Sequence, residues 1–89
     1  MSVEAAKRRA IAVVLLGVRS GQRAEMVASA AARQALGYVK VADLTPLEGA
    51  ALARESWNVW VAGGGAGTPE AWAWVWLSEI NHGGKGVVA

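Results

Sequence analysis

The stretch AWAWVWLSE, residues 71 to 79, places a tryptophan at every second position, at Trp72, Trp74 and Trp76. A strand puts all three indoles on one face, whereas a helix puts Trp72 and Trp76 on one side and Trp74 nearly opposite. The preceding Thr-Pro-Glu is a helix-start signal. Trp and Val are nevertheless good strand formers, and only a strand gives the three indoles a common face. The spacing therefore predicts a strand over residues 71 to 78.

Three neighbouring segments extend this strand into a small, mainly antiparallel sheet. WNVWVA, residues 57 to 62, has β character, and the glycine-rich residues 63 to 70 would join it to the Trp-rich strand as a hairpin. YVKVAD, residues 38 to 43, alternates apolar and polar side chains, which indicates a half-exposed strand. A fourth strand is predicted over residues 10 to 18.

The fourth segment, AIAVVLLGV, is open to two interpretations. We favour a buried strand because the run is apolar and rich in β-branched residues. The alternative is a helix over residues 3 to 19 with Ser2 as its cap, because four apolar residues recur at helical spacing. They are Ile11, Val14, Leu15 and Val18. In that case a helical N-terminal half would precede the C-terminal β-hairpin.

Two helices are predicted to pack on the sheet. Residues 22 to 36 are rich in Ala, Met, Gln and Arg, which favour helix. Thr45, Pro46 and Glu48 form a capping box with proline at the first helical position, so a second helix is predicted over residues 46 to 56. The expected fold class is therefore α+β, a single-layer sheet of four strands packed by two helices.

Length and composition indicate one small domain with an apolar surplus. A chain of 89 residues has room for one core. Its hydrophobic content is 54% and its charged content 18%, against about 45–50% and about 25% in average soluble domains. Cysteine is absent, so stability must come from apolar packing or from assembly.

Both ends of the chain are predicted to lie outside the packed domain. Residues 1 to 9 carry three consecutive basic residues and are expected to form a flexible basic arm. Residues 81 to 89 contain the turn-forming sequence HGGKG and are expected to form a mobile tail. Alternatively, Val87 and Val88 would extend the sheet after that turn.

A membrane span and a secretory signal are both disfavoured. The longest uncharged runs, residues 10 to 18 and 57 to 69, fall short of the roughly 18–20 apolar residues that a span needs. The basic residues before residue 10 imitate the start of a secretory signal, but no small-residue cleavage site follows the apolar run. We therefore expect a cytoplasmic protein.

No arrangement of residues indicates catalysis. His82 is the only histidine, and no carboxylates stand at metal-ligand spacing. The seven carboxylates are scattered, and no nucleophile is placed with a base and an orienting group. The sequence therefore predicts no enzyme activity, no cofactor and no metal.

Positive charge is concentrated in the first half of the chain. Residues 1 to 44 hold seven basic and three acidic residues, whereas residues 45 to 89 hold two basic and four acidic ones. Such asymmetry can steer an anionic partner. The candidate contacts for an anion or a nucleic acid are Lys7, Arg8, Arg9, Arg19 and Arg23. Nucleic-acid binding is the second choice, because the indoles that could stack on bases lie in the acidic half.

The preferred function is protein binding through a tryptophan-rich surface. Both faces of the predicted sheet are apolar, so the face that the helices leave exposed would form an apolar patch of the kind that marks interaction sites. The candidate interface residues are Trp57, Trp60, Trp72, Trp74 and Trp76. The sequence thus predicts an interaction module that forms a homo-oligomer, or that binds a larger protein as an adaptor or an occluding inhibitor.

Overall fold

The computed structural model describes residues 2 to 86, and the side chains of residues 2 to 82. Four α-helices and one short 3₁₀ helix make up its regular structure. They are α1 (Val3–Ser20), α2 (Ala24–Leu36), the 3₁₀ helix (Val41–Asp43), α3 (Pro46–Ala62) and α4 (Pro69–Gly86). Residues 2 to 86 contain no strand, so the prediction of an α+β fold is wrong. Within this part of the chain, no helix combines the length and the apolar character needed to cross a membrane.

All four predicted strands are wrong. Residues 10 to 18 belong to α1, residues 57 to 62 to α3 and residues 71 to 78 to α4. Residues 38 to 43 form a loop and the 3₁₀ helix. The glycine-rich segment joins two helices, so the predicted hairpin is absent. Strand propensity mostly reflects how a side chain fits its surroundings, and here burial at helical spacing prevails.

The helix proposed as the alternative for residues 3 to 19 is present as α1, but the C-terminal β-hairpin that belonged to this alternative is not found within residues 2 to 86. The first turn of α1 is capped by Ser2, whose hydroxyl accepts a hydrogen bond from the Ala5 N–H at 3.1 Å. It ends at Gly21, whose φ of 65° lies in the left-handed region that glycine adopts without penalty. The buried residues recur three or four positions apart, which gives α1 one apolar face. They are Ala6, Ala10, Val14 and Gly17.

The two predicted helices exist with altered bounds. The helix expected over residues 22 to 36 begins at Ala24. The helix expected over residues 46 to 56 begins at Pro46 with the predicted capping box, but continues to Ala62. No glycine or proline interrupts the chain between Ser56 and Gly63. Ser56 and Trp60 are both buried, so the same face of α3 stays in the core for another turn and a half.

The C-terminal end also differs from the expectation. The sequence HGGKG, predicted as a turn in a mobile tail, is helical from His82 to Gly86 and belongs to α4. Val87 and Val88, proposed as an extension of the sheet, lie outside the described residues. The basic residues of the expected N-terminal arm lie in the first turns of α1.

The core combines a close pair of helices with a set of large aromatic side chains. α1 and α2 pack through small residues, and a methyl group at Gly17 would lie 2.5 Å from Cγ2 of Val27. α3 packs on α1, and α4 packs on α2 and α3. The part of the core between α3 and α4 is filled by Trp60, Trp72 and Trp76. The α3–α4 pair therefore carries most of the aromatic bulk of the protein.

Candidate functional site

The five tryptophans do not share one face. Trp60, Trp72 and Trp76 are buried, and Trp57 is half-buried. Trp74 is 70% exposed. Because Trp72 and Trp76 lie one helical turn apart, α4 directs both into the core and Trp74 away from it. Of the predicted interface residues, only Trp57 and Trp74 therefore offer substantial surface.

Trp57, Trp60 and Trp72 form an aromatic cluster between α3 and α4, and Trp57 and Trp72 of this cluster line the groove described below. The ring of Trp72 stacks on Trp60 at a centroid distance of 5.6 Å and meets Trp57 edge to face at 5.7 Å. Its indole N–H donates a hydrogen bond to the buried hydroxyl of Ser56 at 2.8 Å. Paired rings with a satisfied N–H hold one geometry, so this cluster is fixed before any partner arrives.

Trp60 is held by the glycine-rich connection between α3 and α4. Its indole N–H donates to the carbonyl oxygen of Ala66 at 2.8 Å. The backbone at Gly65 lies so close to the ring that a Cβ there would be 2.1 Å from Cε2 of Trp60. The connection thus folds over the end of the aromatic cluster and closes it.

An apolar groove of about 580 Å³ lies between α3, α4 and the segment that holds the 3₁₀ helix. This volume is in the range of small-molecule and peptide pockets. Thirteen lining residues are apolar or glycine: Val41, Leu44, Pro46, Gly49, Ala50, Ala53, Trp57, Pro69, Trp72, Ala73, Trp76, Leu77 and Ile80. The three polar lining residues are Thr45, Arg54 and Asn81. The groove is therefore an apolar channel with a sparse polar rim.

The apolar surface continues beyond the groove. Leu77, which lines it, is 53% exposed, and Trp74 lies three residues earlier on α4, where side chains are neighbours on the helix surface. Leu47, beside the lining residue Pro46, is 83% exposed. We refer to the groove together with Trp74 and Leu77 as the groove surface. Large contiguous apolar patches on monomeric proteins are often interaction sites.

One polar group in this region has no partner. The indole N–H of Trp76 is buried and makes no hydrogen bond among the described residues. An unpaired buried donor typically costs about 1–3 kcal/mol. Trp76 also lines the groove.

Three of the five predicted anion contacts are engaged within the protein. Lys7 pairs with Glu4 and with Glu55 of α3, at 3.4 Å in each case. The hydrogen bond and charge of Glu4, followed by those of Glu55, raise the pKa of Lys7 above its ordinary value. Both carboxylates therefore favour the charged form of the Lys7 ammonium group.

The other four candidate contacts have separate surroundings. The guanidinium of Arg9 lies 5.5 Å from the ring centroid of Tyr38 and 3.5 Å from Oε1 of Gln34, both on the α2 side. Arg23 pairs with Glu25 at 3.4 Å. Arg8 and Arg19 are exposed on α1, eleven residues or about 16 Å apart along the helix axis. The structure does not bring the five cations into one cluster.

His82 occupies an exposed position near the end of the described side chains. Its Nδ1 lies 2.9 Å from the carbonyl oxygen of Ser78, one turn earlier on α4. Among the described residues, no three histidine, aspartate or glutamate side chains are grouped as metal ligands would be.

Sequence reasoning missed most of the groove, including Arg54, Ala73, Leu77 and Ile80. The signal was present, since Pro69, Ala73, Leu77 and Ile80 recur at intervals of three or four residues, as one helix face requires. Reading residues 71 to 78 as a strand concealed this pattern. Comparisons with protein-family models, curated proteins and solved structures find no match to this chain. Its function must therefore be inferred from the site.

Proposed function

We propose that this protein is a non-catalytic protein-interaction module and that the groove surface is its binding site. The observation that carries the proposal is the position of Trp74, which is 70% exposed beside an apolar groove. Tryptophan is enriched among the residues that dominate binding energy at interfaces. An apolar centre with a polar rim is the usual anatomy of such surfaces.

The shape of the groove favours a helical segment of a partner. Two helices form its long walls, and the lining side chains recur along each wall at helical spacing. An amphipathic helix places its apolar side chains at i, i+3, i+4 and i+7, which is the arrangement such a channel accepts. Because the Ser56–Trp72 hydrogen bond fixes the aromatic cluster, little ordering entropy would be lost on binding.

The absence of catalysis and a cytoplasmic location belong to the same proposal. His82, the only histidine, is exposed, and its Nδ1 lies 2.9 Å from the backbone carbonyl oxygen of Ser78 on its own helix. The segment that imitates a secretory signal is an integral part of α1, where Ala10 and Val14 are buried against the rest of the protein. Because this segment contributes to the core, we propose that it is retained and that the protein acts in the cytoplasm.

The proposal is tested by site-specific photo-crosslinking from α4. A photoreactive amino acid replaces Ala73, which lines the groove, or Ala71, which is exposed but does not line it. We expect a protein to be crosslinked in cells from position 73 and not from position 71. The two positions share the same helix and the same native residue, so the comparison isolates the groove.

Affinity measurements then decide whether the captured protein is a true partner. The purified partner should bind the unmodified chain and lose at least about tenfold in affinity for Ala73→Arg, a change of about 1.4 kcal/mol. Ala71→Arg should bind like the unmodified chain. Equal crosslinking from both positions, or an affinity that Ala73→Arg leaves unchanged, would overturn the proposal.

A further inference from the structure

We propose that the occupant of the groove is a second copy of this chain, which inserts its Trp74 into the groove and places its Glu70 against Arg54. This inference rests on the proposed function, because it names the partner of the same surface. It follows from the observation that one surface carries an apolar projection, an apolar recess, an anion and a cation.

The projection and the recess lie side by side. Trp74 projects from α4, and Leu77, its neighbour one turn later, lines the groove. A two-fold symmetric dimer uses the same patch on both subunits, so each projection meets the recess of the other copy. A surface with both features is therefore complementary to itself.

The charged residues of this surface are also complementary between two copies. Glu70, Trp74 and Leu77 stand at i, i+4 and i+7, so Glu70 lies on the same face of α4 as the projecting indole. Arg54 lines the groove from the opposite wall, on α3. Both charged residues are exposed, and neither forms an ion pair among the residues that the structure describes. When Trp74 of one copy enters the groove of the other, its Glu70 is carried toward the arginine of that groove.

The expected contact is modest in size. Two inserted indoles would bury about 300–500 Å², and the groove walls that they cover would contribute a comparable area. Leu77 and Leu47 add exposed apolar surface at the edge. The sum lies near the lower end of specific interfaces, at about 1,200 Å² in total, where association is reversible and depends on concentration.

The test uses the two opposite charge reversals, Arg54→Glu and Glu70→Arg, with sedimentation velocity over a concentration series. In either single variant the two contacts of a symmetric dimer pair like charges, so dimerisation should weaken at least about tenfold. In an equimolar mixture, one copy supplies two carboxylates and the other two guanidinium groups. The mixture should therefore form a heterodimer at least as readily as the unmodified chain forms its homodimer.

Three controls define the outcome. Arg33→Glu makes the same charge change on the exposed surface of α2 and should leave dimerisation unchanged. Circular dichroism should show native helicity for every variant, since the altered side chains are exposed. The double variant Arg54→Glu with Glu70→Arg should recover the homodimer.

Two results would overturn the inference. One is a mixture that stays monomeric. That result is expected if Glu70 pairs with Arg54 of the same chain, because mixing two variants cannot then restore a contact between chains. The other is an unmodified chain that is monomeric at every concentration. If position 73 then still crosslinks a different protein, the dimer is wrong and the proposed function stands; if it crosslinks no protein, both are wrong.

Discussion

The indole N–H of Trp72 on α4 donates a hydrogen bond to the hydroxyl oxygen of Ser56 on α3, at 2.8 Å, and both side chains are buried. The Ser56 hydroxyl in turn donates to the carbonyl oxygen of Ala53, also at 2.8 Å. The first bond ties together the two helices that form the groove, and the second, within α3, orients the Ser56 hydroxyl. The shape of the groove therefore depends on a polar contact inside an apolar core.

Removal of the Ser56 hydroxyl should destabilise the protein. Ser56→Ala leaves the buried Trp72 N–H without an acceptor, which typically costs about 1–3 kcal/mol in the free energy of unfolding. Ser20→Ala is the control, because the exposed Ser20 hydroxyl donates only to the Leu16 carbonyl; its effect should stay within about 0.5 kcal/mol. Urea denaturation measures both. Equal changes in the free energy of unfolding for the two substitutions would show that the Trp72–Ser56 hydrogen bond does not stabilise the protein more than an exposed one.

Substitution at Gly65 should displace the ring of Trp60. The added methyl group of Gly65→Ala would lie 2.1 Å from the indole, so the ring must move and lose its bond to Ala66. Overpacking and the lost bond together should cost about 2–4 kcal/mol. The backbone at Gly65 needs no positive φ, so this cost comes from packing.

Gly64→Ala is the matched control for this substitution. A Cβ at Gly64 meets no atom within 4 Å, but the φ of 88° is strained for alanine, at about 1–2 kcal/mol. In a ¹H–¹⁵N spectrum the indole resonance of Trp60 should shift strongly in Gly65→Ala and little in Gly64→Ala. A Trp60 resonance that both variants leave in place would refute the predicted contact.

Two tryptophans of the same helix should respond to truncation in opposite ways. Trp76 is 1% exposed, so Trp76→Ala should cost about 3–5 kcal/mol of stability. Trp74 is 70% exposed, so Trp74→Ala should change the stability of the isolated chain by no more than about 0.5 kcal/mol. Denaturation in dilute solution, where association is negligible, provides the comparison. A large loss on truncation of Trp74 would place it in the core.

Nucleic-acid binding should be weak. Lys7 and Arg23 are paired with carboxylates. Arg9 lies against Tyr38 and Gln34, and Arg8 and Arg19 are about 16 Å apart along α1. Each phosphate contact with duplex DNA would add a slope of about −0.9 to the salt dependence of affinity. We expect little binding at physiological salt in fluorescence anisotropy with labelled DNA and RNA. Sub-micromolar affinity with a steep salt slope would make nucleic-acid binding the preferred function.

The sequence predicts this fold best where the signal is local. The hydroxyl and carboxylate of the capping box at Thr45 and Glu48 act within four residues, and both predicted hydrogen bonds are present at 3.0 and 3.1 Å. The start of α3 was therefore predicted correctly. Its end was not, because the preference of Trp57 to Ala62 for a strand is outweighed by contacts that Trp60 makes with the later residues Ala66 and Trp72.

The tryptophan repeat was misleading because it satisfies two periods at once. Positions 72, 74 and 76 share a strand face, but positions 72 and 76 are also one helical turn apart. The Thr-Pro-Glu before them marks the true start of α4, where the Thr68 hydroxyl accepts from the Ala71 N–H at 3.2 Å. The exposure of Trp74 follows directly from the helical alternative. The groove itself could not be predicted, because it depends on how α3 and α4 pack together.

The most direct test of the central claim, that Trp74 and the groove beside it bind a protein, is the ¹⁹F spectrum of the chain labelled with 5-fluorotryptophan. It should contain one resonance for each of the five tryptophans, and Trp74→Phe identifies the resonance of Trp74. In dilute solution this resonance should show the largest shift between H₂O and D₂O. As the second copy or the crosslinked partner is added, it should move and lose that solvent shift, while the buried Trp60 keeps its position. A Trp74 resonance that stays fully exposed throughout the titration would contradict the account.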